Sequence, residues 1–118
     1  MTKIASNLQI DSARLWDTIH ETAKFGATPK GGVRRLTLGP EDKQVRDWFR
    51  KACEAAGLEV HGSIRSARCS ACAGDAIMSK PPIGLGSHLD TQPTGGKFDG
   101  VLGTLAALKW SARSTMPG

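Results

Sequence analysis

Hydrophobic spacing divides the chain into helical and strand-like pieces. Leu15, Trp16, Ile19 and Ala23 recur at helical intervals, with Asp11 or Ser12 placed to cap the first turn and Gly26 suited to the left-handed position that ends a helix. A loop from Gly26 to Gly32 leads to the β-prone piece Val33 to Leu38, where Arg34, Arg35 and Thr37 interrupt the apolar residues. A second helix is predicted from Pro40, since proline fits a first turn and Glu41 and Asp42 complement the helix dipole. Val45, Trp48, Phe49, Ala52 and Ala56 mark its apolar stripe up to Gly57.

Leu58 to Val60 predicts the start of a strand. From Gly62 to Lys80 neither a period of two nor one of 3.6 emerges, so this stretch reads as irregular. Ile83-Gly84-Leu85-Gly86-Ser87-His88 is apolar without polar alternation until its end, which predicts a strand covered on both faces. A Pro- and Gly-containing turn over Thr91 to Lys97 precedes a third helix, capped by Asp99 and carrying Val101, Leu102, Leu105, Ala106 and Leu108. The order is α/β, with Leu58 to Val60 and Ile83 to His88 as neighbouring strands.

Composition narrows the class. A length of 118 residues, 39% hydrophobic and 23% charged, fits one ordinary globular domain at most. The longest apolar stretch, Val101 to Leu108, is broken by Gly103 and Thr104 and falls far short of the roughly 20 residues of a membrane span. The first residues lack a secretory pattern and the three cysteines are an odd number, so the expected compartment is the cytoplasm. The formal charge of +5 raises nucleic acid as a partner. Its basic residues, however, are spread from Lys3 to Arg113, and the densest part, Arg65 to Arg68, has no aromatic neighbour, which argues against that partner. A small basic non-enzymatic module that binds nucleic acid is the alternative to an enzyme.

Candidate chemistry concentrates in His88-Leu89-Asp90, with Asp99 at the start of the third helix. Sites in open α/β sheets form at the carboxyl ends of strands. Imidazole and carboxylate are usual ligands of a catalytic zinc, and a carboxylate two residues from the histidine can orient its ring. On spacing alone, a solvated turn with a helix-capping Asp99 explains the same residues. Gly31-Gly32 and Arg34-Arg35 make either an anion-friendly loop or turn glycines with solvated arginines. Cys69-x-x-Cys72 lacks the second ligand pair of a zinc ribbon and reads as incidental thiols. Gly84-x-Gly86 lacks the third glycine of a nucleotide-binding loop. His20 is expected to be exposed and His61 to end a short strand.

The longer string Gly86-Ser87-His88-Leu89-Asp90-Thr91-Gln92-Pro93-Thr94-Gly95-Gly96-Lys97-Phe98-Asp99-Gly100 resembles the metal-binding signature of the amidase/hydantoinase/carbamoylase family, related to the dinuclear-zinc M20-type peptidases. Ala23-Lys24-Phe25-Gly26-Ala27-Thr28, Lys30 to Leu38 and Asp42 to Phe49 are similar to the N-terminal segment of N-carbamoyl-L-amino-acid hydrolases and β-ureidopropionases. The resemblance covers residues 14 to 60 and 81 to 108. It implies an incomplete N-terminal portion of a dinuclear-metal amidohydrolase catalytic domain, an α/β fold with a mostly parallel sheet flanked by helices.

By that resemblance, His88 is a ligand of one metal, Asp99 the carboxylate bridging two, and Asp90 the catalytic carboxylate that supports the histidine. The implied cofactors are two divalent ions, Zn, Mn or Co. The implied substrate is a small N-carbamoyl or ureido acid, hydrolysed to amino acid, ammonia and CO2 by an enzyme that is a homodimer at full length. Residues 62–80 and 109–118 depart from the family pattern, as shifts of reading frame would produce. Residues 100–118 contain no Asp, Glu or His, so the family's Glu pair and further His ligands have no counterpart there. The expectation is an incomplete metal site and an inactive fragment.

Overall fold

The computed structural model describes residues 11–62, 69–72, 79–81 and 83–115. Three helices carry the fold: α1 (Ser12–Thr22), α2 (Pro40–Ala55) and α3 (Val101–Thr115). A two-stranded antiparallel sheet of β1 (Glu59–Gly62) and β2 (Cys69–Cys72) packs against α2. No described helix is long and apolar enough to cross a membrane.

The helix ends follow local chemistry. Asp11 is the N-cap of α1, its carboxylate accepting from the Arg14 amide at 3.1 Å. This satisfies one of the amides that a first turn leaves without a partner. Pro40 opens α2 behind Gly39, and Gly57, at φ +80°, follows its last turn, the backbone region where glycine carries no side-chain penalty. The helices meet in two apolar clusters. Ile19, Val101 and Leu105 form one, with Leu15, Trp48 and Leu89 against it; Cys53, Leu58 and Leu108 form the other, under Phe49, Val60 and Ala71. Because α3 contributes to both, it ties α1 on one side to α2 and the sheet on the other.

Four expectations are corrected here. The β2 strand falls inside the stretch read as irregular. Its register, from Glu59 opposite Cys72 to Gly62 opposite Cys69, is set by pairing with β1 and not by any alternation of its own. Ile83–His88 forms no strand and is not a neighbour of β1: Ile83 is 90% and Leu85 57% exposed. No described strand lies beside that segment, and a run of apolar residues without a hydrogen-bonding partner has no ladder to join. Against a mostly parallel sheet, the described strands run antiparallel. Trp16, placed on the apolar face of α1 by spacing, is instead 55% exposed, stacked on Phe98 and tilted against a half-buried His20. Residues 1–10, Arg65 to Arg68 and the side chains of Cys69 and Cys72 lie outside the described residues.

Candidate metal and active site

The site is built on a loop held from behind. Leu89 packs on the Ile19, Val101 and Leu105 cluster, and successive side chains of extended backbone point to opposite sides. With Leu89 turned inward, His88 and Asp90 are left facing outward. The His88 Nδ1 lies 3.0 Å from the Asp90 main-chain oxygen and 3.3 Å from its Oδ1. Its Nε2 faces Asp99 Oδ2 at 3.8 Å. Of the two ring nitrogens only Nδ1 lies within hydrogen-bond distance of an acceptor, so in the neutral ring the proton is assigned to Nδ1 and Nε2 is left facing Asp99. Asp99 does not cap α3 with its side chain: its carboxylate is 84% exposed beside His88, and its main-chain oxygen accepts from Val101 at 2.8 Å. All three site residues predicted from sequence therefore come together.

Gly100 and Thr104 complete the wall behind the ring. A Cβ on Gly100, at φ +71°, would meet His88 Cε1 and Nδ1 at 2.4 Å, so the ring occupies space that only glycine leaves open. The Thr104 hydroxyl, on α3, lies 3.3 Å from both the His88 and Gly100 carbonyls.

The loop is fastened to the segment 33–37 through alternate residues. Val33 exchanges both backbone hydrogen bonds with Gly95, at 2.9 and 3.0 Å. The Arg35 amide donates to Thr91 Oγ1 at 2.8 Å, and the Thr91 amide donates to the Arg35 carbonyl at 2.7 Å. Arg35 is 1% exposed. Its Nε donates to the Leu89 carbonyl at 2.8 Å, and one terminal nitrogen donates to the carbonyls of Thr22 at 2.9 Å and Phe25 at 2.8 Å. Burial lowers its pKa, opposed by the charges of Asp42 and Asp90. The Thr37 hydroxyl donates to Asp90 Oδ2.

This overturns the reading of Arg35 as solvated, because the side chain is buried and its Nε and one terminal nitrogen are spent on main-chain carbonyls; Arg34 beside it is exposed. Sequence reasoning missed Arg35, Thr37, Thr91 and Gly100. The two-residue spacing of 33, 35 and 37 was the available signal, but its polarity is inverted: Leu36 and Leu38 are the exposed residues, 38% and 63%.

The donor set bears on metal binding. A zinc bond to imidazole nitrogen or carboxylate oxygen is about 2.0–2.2 Å, so atoms up to roughly 4 Å apart can share one ion. His88 Nε2 and Asp99 Oδ2 meet that condition and fit as two members of a ligand set. Among the described residues no group of three or more His, Cys, Asp or Glu is arranged to hold a metal ion.

Known proteins resemble this chain closely over a limited length. No family model matches it. The N-carbamoyl-L-amino-acid amidohydrolase of Rhizobium meliloti is 42% identical over 116 residues, which cover 92% of this chain and 26% of that enzyme. The allantoate amidohydrolase of Escherichia coli is 34% identical over 91 residues, covering 77% of this chain and 22% of its own length. A solved hydantoinase/carbamoylase family amidase from Burkholderia ambifaria superposes with a TM-score of 0.82 at 44% identity, covering 90% of this chain and 26% of that one. The chain spans about a quarter of the length of the relatives it matches. The chain belongs to the hydantoinase/carbamoylase family of amidases.

Proposed function

We propose that this chain supplies the His88, Asp90 and Asp99 corner of a metal-dependent hydrolase acting on the non-peptide C–N bond of a linear amide, an N-carbamoyl or ureido acid. The orientation of His88 carries the reading: its Nδ1 lies within reach of Asp90, which leaves its Nε2 facing the Asp99 carboxylate. The likeness to amidohydrolases named for N-carbamoyl-L-amino acids and allantoate supports the substrate class.

In this reading His88 Nε2 and Asp99 hold divalent cations, Zn, Mn or Co, all of which accept nitrogen and carboxylate donors. Bound there, they supply Lewis-acid polarisation of the substrate carbonyl and a water acidified to near neutral pH. Asp90 retains the Nδ1 proton, which fixes the tautomer and keeps the ring aimed. Leu89 anchors the loop on the core, and Gly100 leaves the space that the ring occupies. A third donor and the general base lie outside the described residues, in the remainder of a catalytic domain of which this chain is one segment. Such a domain works in the cytoplasm as a homodimer.

Zinc titration of the purified chain tests the ligand assignment. Binding that His88→Ala and Asp99→Asn each weaken at least about tenfold supports it, and binding indifferent to both overturns it. Ammonia release from an N-carbamoyl-L-amino acid is expected to stay at the level of the His88→Ala control. Release above that control would overturn the need for donors outside the segment.

A further inference from the structure

We propose that Thr37 is a positioning residue that sets the tautomer of His88 through Asp90; the inference rests on the reading of His88 as a metal-binding imidazole. Thr37 is not a chance surface neighbour. It is the third loop-facing position of the segment whose first two, Val33 and Arg35, are register-locked to Gly95 and Thr91 by paired hydrogen bonds. Arg35 further holds the Leu89 carbonyl, between His88 and Asp90. With those two positions fixed, the third falls opposite Asp90, 53 residues away in sequence.

The hydroxyl of Thr37 has one carboxylate oxygen to serve. It donates to Asp90 Oδ2, which leaves Oδ1 turned toward His88 Nδ1 at 3.3 Å. Asp90 is 35% exposed, and a carboxylate with that much contact with water rotates unless something fixes its plane. Thr37 fixes it. The second acceptor at Nδ1, the Asp90 carbonyl at 3.0 Å, belongs to the backbone and stays in any variant. The contribution of Thr37 is therefore the carboxylate's share of the hold on the Nδ1 proton. Which ring nitrogen keeps its lone pair depends on what the other one donates to.

Ring nitrogen and carbon NMR shifts of His88 report the tautomer directly, in metal-free protein at one fixed pH of about 8.5, above the imidazole range. The wild-type chain is expected to hold its proton mainly on Nδ1. In Thr37→Val and Thr37→Ala the ratio of Nδ1-protonated to Nε2-protonated ring is expected to fall about threefold, the effect of losing one hydrogen-bonded partner of ordinary strength. Thr37→Ser, which keeps the hydroxyl, restores the wild-type ratio. Thr37 is exposed, so these variants leave the core intact, and the alanine separates loss of the hydroxyl from any effect of the extra valine methyl. A wild-type ratio in both Val and Ala variants overturns the proposal, as does a serine variant that falls as far as valine. Zinc titration of the same samples and of His88→Ala separates the two readings. Zinc binding indifferent to His88→Ala removes the metal assignment, whereas an unchanged tautomer with zinc binding that His88→Ala weakens removes the role of Thr37 alone.

Discussion

Two extended segments lead to the site and are held in opposite ways. Residues 33–38 turn a buried arginine toward the 89–95 loop and two leucines away from it, and each loop-facing position, 33, 35 and 37, is hydrogen-bonded to that loop. Residues 83–87 carry Ile83 and Leu85 and no charged residue, and both apolar side chains stay exposed. The difference teaches that hydrophobicity does not order an extended segment. A partner for the backbone does, because each amide and carbonyl must be satisfied wherever water is excluded.

Arg35→Met is the most direct way to break this contrast. It takes the donors from three carbonyls at once, those of Thr22, Phe25 and Leu89, and should cost roughly 3 kcal/mol in urea unfolding, since unpaired buried polar groups cost about 1–3 kcal/mol each and water re-enters in part. The His88 tautomer should scramble as well. A change under about 0.5 kcal/mol, typical of a surface substitution, would show that the guanidinium is dispensable and that the two segments are held alike.

Gly100→Ala probes the same loop from its other side. A left-handed conformation costs a non-glycine residue about 1–2 kcal/mol, and the added methyl must push the His88 ring aside. Expected are a loss of about 2 kcal/mol in the urea midpoint analysis and weaker zinc binding; zinc binding at wild-type strength would refute the close packing of ring on backbone.

Leu85→Ser sharpens the comparison from the loose side. With the leucine 57% exposed, stability should move by less than about 0.5 kcal/mol, and a larger loss would mean that this segment is packed in solution.

The smallest effect is expected at Lys43→Ala, remote from both segments. The hydrogen bond from Lys43 holds the Asp47 carboxyl below its usual range. A carboxyl lowered in the folded state adds stability above the unfolded value of about pH 4 and loses it as pH falls through the folded value. Wild type and variant should therefore converge in thermal midpoint in strong acid and differ slightly at neutral pH. Divergence that grows on acidification would contradict the sign. Both side chains are more than half exposed, and such pairs are weak.

Much of the helical frame was legible in the residues themselves. The start of α2 at Pro40, the cap at Asp11 and the turn at Gly57 are each decided within one or two turns of chain, by a proline, a carboxylate and a glycine acting on their immediate neighbours. The candidate triad of His88, Asp90 and Asp99 was named from the likeness of the string around it to known amidases, since its spacing alone fits a solvated turn as well. Arg35 was not. An arginine beside Gly-Gly reads as solvated until three carbonyls from two distant parts of the chain converge on it.

The sequence by itself determined the local elements, the family and the identity of the candidate donors, because capping, periodicity and short motifs act over a few residues. Tertiary structure decided which nitrogen of His88 faces Asp99, why Gly100 has no side chain, and that Thr37 meets Asp90. The last of these depends on backbone register between segments more than fifty residues apart, which pairs Arg35 with Thr91 and Thr37 with Asp90. Register is a property of the pairing and not of either strand.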